Sequence, residues 1–167
     1  MSSSRVAILI STASLLLGLA ACGPSAEISG NVDGYSLSDA QSVFFGGPFI
    51  VIANEPLPCT DMSWVSRHYD VQAPPRDSDF SALQISFSND EQVFEGQFSV
   101  AGNAQVTSKF LVLDEGAFTE YRGRGGMLHV TKVEEESMVE GNFDLTFDDG
   151  ALQGDFKAEW CRNLKNR

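Results

Sequence analysis

Histidine is almost missing from this chain: His68 and His129 are the only two among 167 residues. Two distant imidazoles leave little material for general acid–base or metal-assisted chemistry. The chain also lacks a Gly-x-Ser-x-Gly elbow, a His-Glu-x-x-His pair and a glycine-rich phosphate loop opening a helix. No spacing favours a Ser–His–Asp arrangement. With 23 acidic residues some carboxylate pair will meet the roughly 5–10 Å glycosidase separation by chance, so such a pair is no signal. The expectation is a protein that is not an enzyme. Basic residues are scarce as well, 11 against those 23 acids, for a net charge of −12. Such a surface repels nucleic acid and anionic head groups and favours solubility. A local basic cluster, Arg122 and Arg124 in Tyr121-Arg-Gly-Arg-Gly-Gly126, reads as a solvated loop. Long helical periodicity and linkers are absent too, which leaves no sign of a second domain.

The one long apolar run lies at the start. Arg5 gives a positive n-region, Val6 to Leu19 an h-region, and Ala20-Ala21 the small residues before a cleavage point. The run is too short to span a bilayer comfortably, so a cleaved signal is expected. Leu19-Ala20-Ala21-Cys22 resembles a bacterial lipobox, after which Cys22 becomes the lipidated first residue. One acyl chain binds a membrane reversibly, and stable anchoring needs more than one. The resemblance implies a diacylglycerol thioether and usually a third chain, hence permanent attachment. Gly23 after the cysteine, where a retention signal would resemble Asp, favours the outer membrane. Gly23 to Ala26 reach only about 15 Å when extended, so the domain should sit close to the bilayer. Arg5 is the only charge in the first 21 residues, so cleavage shifts the net charge from −12 to −13 and leaves 146 residues. That is ample for one core.

Only Cys59 and Cys161 then remain. An even pair in an exported chain reads as a disulfide, here closing a loop of about 100 residues. The rival is zinc held by Cys59, Cys161, His68 and His129, but these four lack the short spacings of structural zinc sites.

The rest of the chain has a period of two, not 3.6. Leu83, Ile85 and Phe87 alternate with polar residues, as do Phe94, Gly96, Phe98 and Val100. Further strands are expected at Glu27–Leu37, Gln41–Phe45, Phe49–Ala53, Ser108–Leu113, Ala117–Tyr121 and Met127–Val133. Asn, Asp and Gly fill the gaps, as in Asp114-Glu115-Gly116 and Gly123 to Gly126. Asp61–Tyr69 could form a short helix, ended before Pro74-Pro75. His129 shares a face with Thr131 and is expected to point to solvent.

The last two strands form a hairpin. Val139, Gly141, Phe143, Leu145 and Phe147 share one face; Leu152, Gly154, Phe156, Ala158 and Trp160 share another. A two-residue turn at Asp149-Gly150 would set Phe147 opposite Leu152 and Phe143 opposite Phe156. It would also oppose Asp144 to Asp155 and Glu140 to Glu159, which is unfavourable. Lys157 or a bound cation such as calcium could offset this near Asp144 and Asp155. Cys161 would fall on the polar face unless a bulge re-aims it or the strand ends at Trp160.

A Gly-x-Phe-x-apolar phrase recurs at Gly96, Gly141 and Gly154, at unequal intervals of 45 and 13 residues. It reads as recurrent sheet chemistry, an inward glycine leaving room for a facing ring, and not as a solenoid. Ser29-Gly-Asn-Val-Asp-Gly34, the middle cysteine with Trp64-Val65, Gly141-x-Phe143 and the Gly154-x-Phe156-x-Ala158-x-x-Cys161 pattern resemble uncharacterised bacterial lipoproteins of the δ-proteobacterial, myxobacterial kind. That resemblance covers most of the mature chain. It implies an outer-membrane or periplasmic β-rich domain with a terminal disulfide, and it carries no catalytic residues.

The expected architecture is therefore all-β, an antiparallel β-sandwich or barrel of roughly 8–10 strands with at most one short helix. Residues 1–21 would be the signal, 22–26 a lipidated tether and 27–167 a single β-rich domain. The expected role is a membrane-anchored cell-envelope lipoprotein with a non-enzymatic recognition or structural function, without cofactor. Partners would be the membrane, through Cys22, and an envelope or extracellular protein or glycan, with no nucleic acid. Thr60–Asp79, with Trp64 and Tyr69, and Arg122–Gly126 are the expected contact surfaces. The alternatives are a periplasmic carrier holding an apolar ligand inside a barrel and, less favoured, a hydrolase.

Overall fold

The computed structural model describes residues 23–60, 79–88, 92–101 and 104–164. Cys22, the expected lipidation site, the segment expected to be helical at 61–69 and the expected Pro74-Pro75 loop lie outside the described residues. So do His68, Trp64 and Tyr69.

Ten strands make one curled, mixed sheet. They are β1 (Ser25–Val32), β2 (Ser42–Gly46), β3 (Phe49–Ala53), β4 (Phe80–Phe87) and β5 (Gly96–Ser99). The rest are β6 (Val106–Asp114), β7 (Ala117–Arg122), β8 (Gly125–Glu134), β9 (Met138–Phe147) and β10 (Gly150–Trp160). Their order is β5-β8-β9-β10-β2-β3-β4-β6-β7, with β1 paired to β10. A single turn of 3-10 helix follows at Arg162–Leu164. The all-β expectation holds. One pairing departs from antiparallel: β2 runs parallel to the end of β10, Glu159 opposite Phe44 and Trp160 opposite Phe45. The cause is length. β1 covers β10 only from Gly150 to Lys157, so the last residues of an 11-residue strand offer an open edge on which β2 docks.

The two flanks of the sheet are built differently. In β9 every second residue is buried, because its other face meets solvent. β2 and β3 are buried at every position, which their near-continuous apolar runs anticipate. Their inward residues join one core with Phe87, Phe98, Phe110, Phe143, Phe147 and Phe156. Their outward residues, with Phe80, Leu111 and Leu113, form a second cluster with Leu57, Cys161 and Leu164.

The hairpin register differs from expectation by two residues. The turn is Asp148-Asp149, and Phe147 pairs with Gly150. Faces are preserved, because a shift of two keeps every inward residue inward. Phe143 now lies opposite Gly154, and Phe156 opposite Gly141. The Phe156 ring fills the space left at Gly141, and the Phe143 and Phe156 rings stack diagonally with centres 6.3 Å apart. The opposed like charges also vanish: Glu140 faces Lys157, Asp144 faces Gln153 and Asp155 faces Asn142. Both effects favour the observed register over the expected one.

Two local devices break strict alternation, and the second is one of the two expected at Cys161. A bulge in β8 leaves Thr131 unpaired between Val130 and Lys132. It resets the pleat so that Leu128, Val130 and Val133 all pack against the core. At the end of β10 the strand stops at Trp160, and Cys161 turns inward to donate its N–H to the Phe45 carbonyl at 2.7 Å.

Candidate recognition surfaces

Cys59 and Cys161 bring their sulfurs to 2.15 Å, with Cα atoms 5.6 Å apart. The pairing read from the sequence is therefore the one the fold makes, and it pins the 54–60 segment to the chain's end. Cys161 is fully buried in the second cluster. His129 is remote in kind: it lies on β8 between Gln97 of β5 and Asn142 of β9, half-buried. Sulfurs bonded to one another are not the thiolates that zinc takes as ligands. Among the described residues no three of His, Cys, Asp and Glu are grouped to hold a metal ion. Asp144 and Asp155, the expected cation site, are not opposed in the register that forms.

The solvent face of β5, β8, β9, β10 and β1 forms transverse rows. One reads Gln97, His129, Asn142, Asp155, Glu27; the next reads Ser99, Met127, Asp144, Gln153, Ser29. Amides, hydroxyls and carboxylates thus stand side by side at the spacing of neighbouring strands, about 4.8 Å. A broad groove of about 580 Å³ lies over this face, with Glu27, Ser29, Ser38, Asn142, Gln153 and Asp155 among its lining. β1 lies close against β10, where a side chain on Gly154 would run into the Glu27 carbonyl oxygen. Alternation predicts this polar face, but only the register shows which residues form its rows.

The end of the sheet that carries Val32 is clasped by phenol–carboxylate bonds that sequence reasoning missed. Tyr121 of β7 donates to Asp33 at 2.7 Å, and Tyr35 donates to Asp114 at 2.6 Å. Partners 88 and 79 residues apart give no local sequence signal. The bonds tie the last strand of the sheet to the turn after β1, where Asp33 and Gly34 both have positive φ. The Asp33 carboxylate, accepting that bond, pushes the Tyr121 phenol up to about 12. Tyr35 is raised from its ordinary value first by the bond to Asp114, then by burial.

The Arg122–Gly126 segment is a corner and not a loop. Only Gly123 and Arg124 separate β7 from β8, and the Arg124 amide donates to Thr146. Both guanidinium groups are engaged internally. Arg124 makes a two-pronged pair with Asp148, and Arg122 bonds Glu120 at 3.0 Å. Glu120 also meets Lys109 at 3.4 Å; burial lowers the Lys109 pKa, and the Arg122 charge lowers it further. Both arginines stay more than half exposed, at 74% and 60%, while making these pairs. Of the Thr60–Asp79 segment only its two ends fall among the described residues.

Comparison with protein-family models, with curated proteins and with solved structures finds no match to this chain.

Proposed function

We propose that this protein is a lipid-anchored lipoprotein of the bacterial cell envelope whose β domain recognises a partner without turning it over. The observation that carries the reading is the apposition of Leu19-Ala20-Ala21-Cys22 with a strand that begins at Ser25. An acylated Cys22 would hold the folded domain directly on the membrane, with two residues between anchor and sheet. The Cys59–Cys161 bond supports export, since such bonds persist in oxidising compartments. Beginning at Ser25, β1 carries the chain about 27 Å away from the anchor. The Tyr–Asp clasps then lie far from the bilayer, and the polar rows cross the sheet between the two ends. The groove over Asn142, Gln153 and Ser29 offers hydrogen-bonding groups suited to a glycan or an extended peptide.

Recognition is favoured over carriage by the interior. Phe87, Phe98, Phe110, Phe143, Phe147 and Phe156 occupy the space an apolar cargo would need. Protease treatment of intact cells, followed with an antibody to the domain, tests the reading. A signal lost from intact cells places the domain outside; one lost only after permeabilisation places it in the periplasm. In both cases Cys22→Ser should release the domain from the membrane fraction. Retention of that variant would remove the anchor.

A further inference from the structure

At the end of the sheet that carries Ser25, a pocket of about 240 Å³ opens between the β8–β9 turn and the β2–β3 turn. Its apolar lining is Phe45, Val93, Val133 and Trp160, and its rim carries Glu135 and Glu136. Trp160 and Phe45 pack edge to face at 5.2 Å between ring centres, so the two aromatics support one another. The walls are cross-tied by backbone bonds. The Trp160 amide donates to the Ser137 carbonyl at 3.0 Å, and the Val93 amide donates to the Gly47 carbonyl at 3.2 Å. A third bond, from the Val133 amide to a Glu95 carboxylate oxygen at 3.1 Å, adds another acid beside the wall. A cavity held this way is formed before anything enters it.

The charged side chains among its described lining are both acidic, Glu135 and Glu136. Glu134, Glu135 and Glu136 follow one another into the turn. Two lysines of the same end are already engaged, Lys132 with Glu134 at 2.6 Å and Lys157 with Glu140 at 3.8 Å. Among the described residues, no basic side chain lines the pocket. An indole wall beneath carboxylates is the environment that attracts organic cations, by ring quadrupole and by charge together. The volume is below the usual 300–1,000 Å³ of pockets for drug-sized ligands, which suits a head group of roughly ten non-hydrogen atoms or fewer.

We infer that this pocket is a binding site for a short organic ammonium group, seated against Trp160 and paired with Glu135 and Glu136. The inference names a ligand class for the recognition role proposed above and rests on that reading. The ammonium could belong to a free amine or to the ethanolamine head group of a lipid, since an anchored domain would turn this end toward the bilayer.

The test uses the soluble protein lacking residues 1–22, with the Trp160 indole N–H signal distinguished from that of Trp64 by a Trp64→Phe variant. Benzylammonium and benzyltrimethylammonium should shift the Trp160 signal, and neutral benzyl alcohol should bind at least tenfold more weakly. The exposed pair Glu135→Gln with Glu136→Gln should weaken both cations at least tenfold while leaving the rest of the spectrum in place. A water-soluble short-chain phosphatidylethanolamine that binds, where the matching phosphatidylglycerol does not, would identify the lipid source. Binding of the free amines alone would identify a free ligand. Equal binding of the alcohol, indifference to the glutamine pair, or no shift at Trp160 would overturn the site and leave the anchor untouched. Chemical conversion of an added amine would instead overturn the non-enzymatic reading.

Discussion

Phe156 occupies the room that a side chain on Gly141 would need. A β-carbon built on Gly141 would lie 2.9 Å from Phe156 Cζ and 2.4 Å from the His129 carbonyl oxygen. The ring comes from the strand on one side of β9 and the carbonyl from the strand on the other. The glycine therefore sets both spacings at once. Gly141→Ala should cost about 2–3 kcal/mol, the upper part of the range for overpacking a fitted core, measured by urea unfolding. A change within about 0.5 kcal/mol would mean that the ring moves aside freely.

The Cys59–Cys161 bond closes a loop with a sequence separation of 102. Chain entropy predicts a large effect for a loop of that size, with measured effects commonly about 2–4 kcal/mol. Reduction without substitution should therefore lower the urea midpoint by an amount worth about 3 kcal/mol. An unchanged midpoint in the presence of reductant would show that the 54–60 segment is held by packing alone.

Tyr121 should titrate late. Its folded pKa is about 12 against an ordinary value of 10.0, because its hydroxyl donates to Asp33. The folded state therefore holds this proton more tightly than the unfolded chain does. The associated stability is fully present below about pH 10 and is lost as pH rises toward 12. Ultraviolet titration of a Tyr35→Phe, Tyr69→Phe variant isolates the remaining phenol. Its midpoint should fall toward 10 on adding Asp33→Asn, and a midpoint already near 10 without that change would refute the clasp.

The Arg124–Asp148 pair should contribute little despite its two-pronged geometry. Both side chains are more than half exposed, at 60% and 63%. Exposed pairs are typically worth about 0–1 kcal/mol and are screened by salt. Arg124→Ala should leave the urea midpoint almost unchanged, and 1 M salt should shrink any difference further. A larger loss would assign the corner between β7 and β8 a structural role beyond this pair.

Much of the fold was legible because strands write their burial into a period of two. The buried runs of β2 and β3, the alternation of β9 and β10 and the Glu115-Gly116 turn could all be read directly. Register was not. Alternation is blind to a shift of two residues, and only the fit of Phe156 against Gly141 and of Lys157 beside Glu140 separates the alternatives. The parallel contact of β2 with β10 was equally hidden, since it depends on how far β1 reaches along its neighbour. The bulge at Thr131 shows the reverse case. Val130 and Val133 are three apart, a spacing that a regular strand could not place on one face, and the bulge reconciles them. Of the candidate sites, the cysteine pairing was readable from parity alone. The Tyr–Asp clasps and the Trp160 pocket were not, because each joins residues that the sequence keeps far apart.

The account rests most heavily on Cys22. Mass spectrometry of the N-terminal peptide from protein purified from the membrane fraction of its native host tests it most directly. The prediction is a chain that starts at Cys22 and carries the added mass of a diacylglycerol group, with or without a third acyl chain. A chain that keeps residues 1–21, begins at any other position or starts with an unmodified Cys22 would contradict the account.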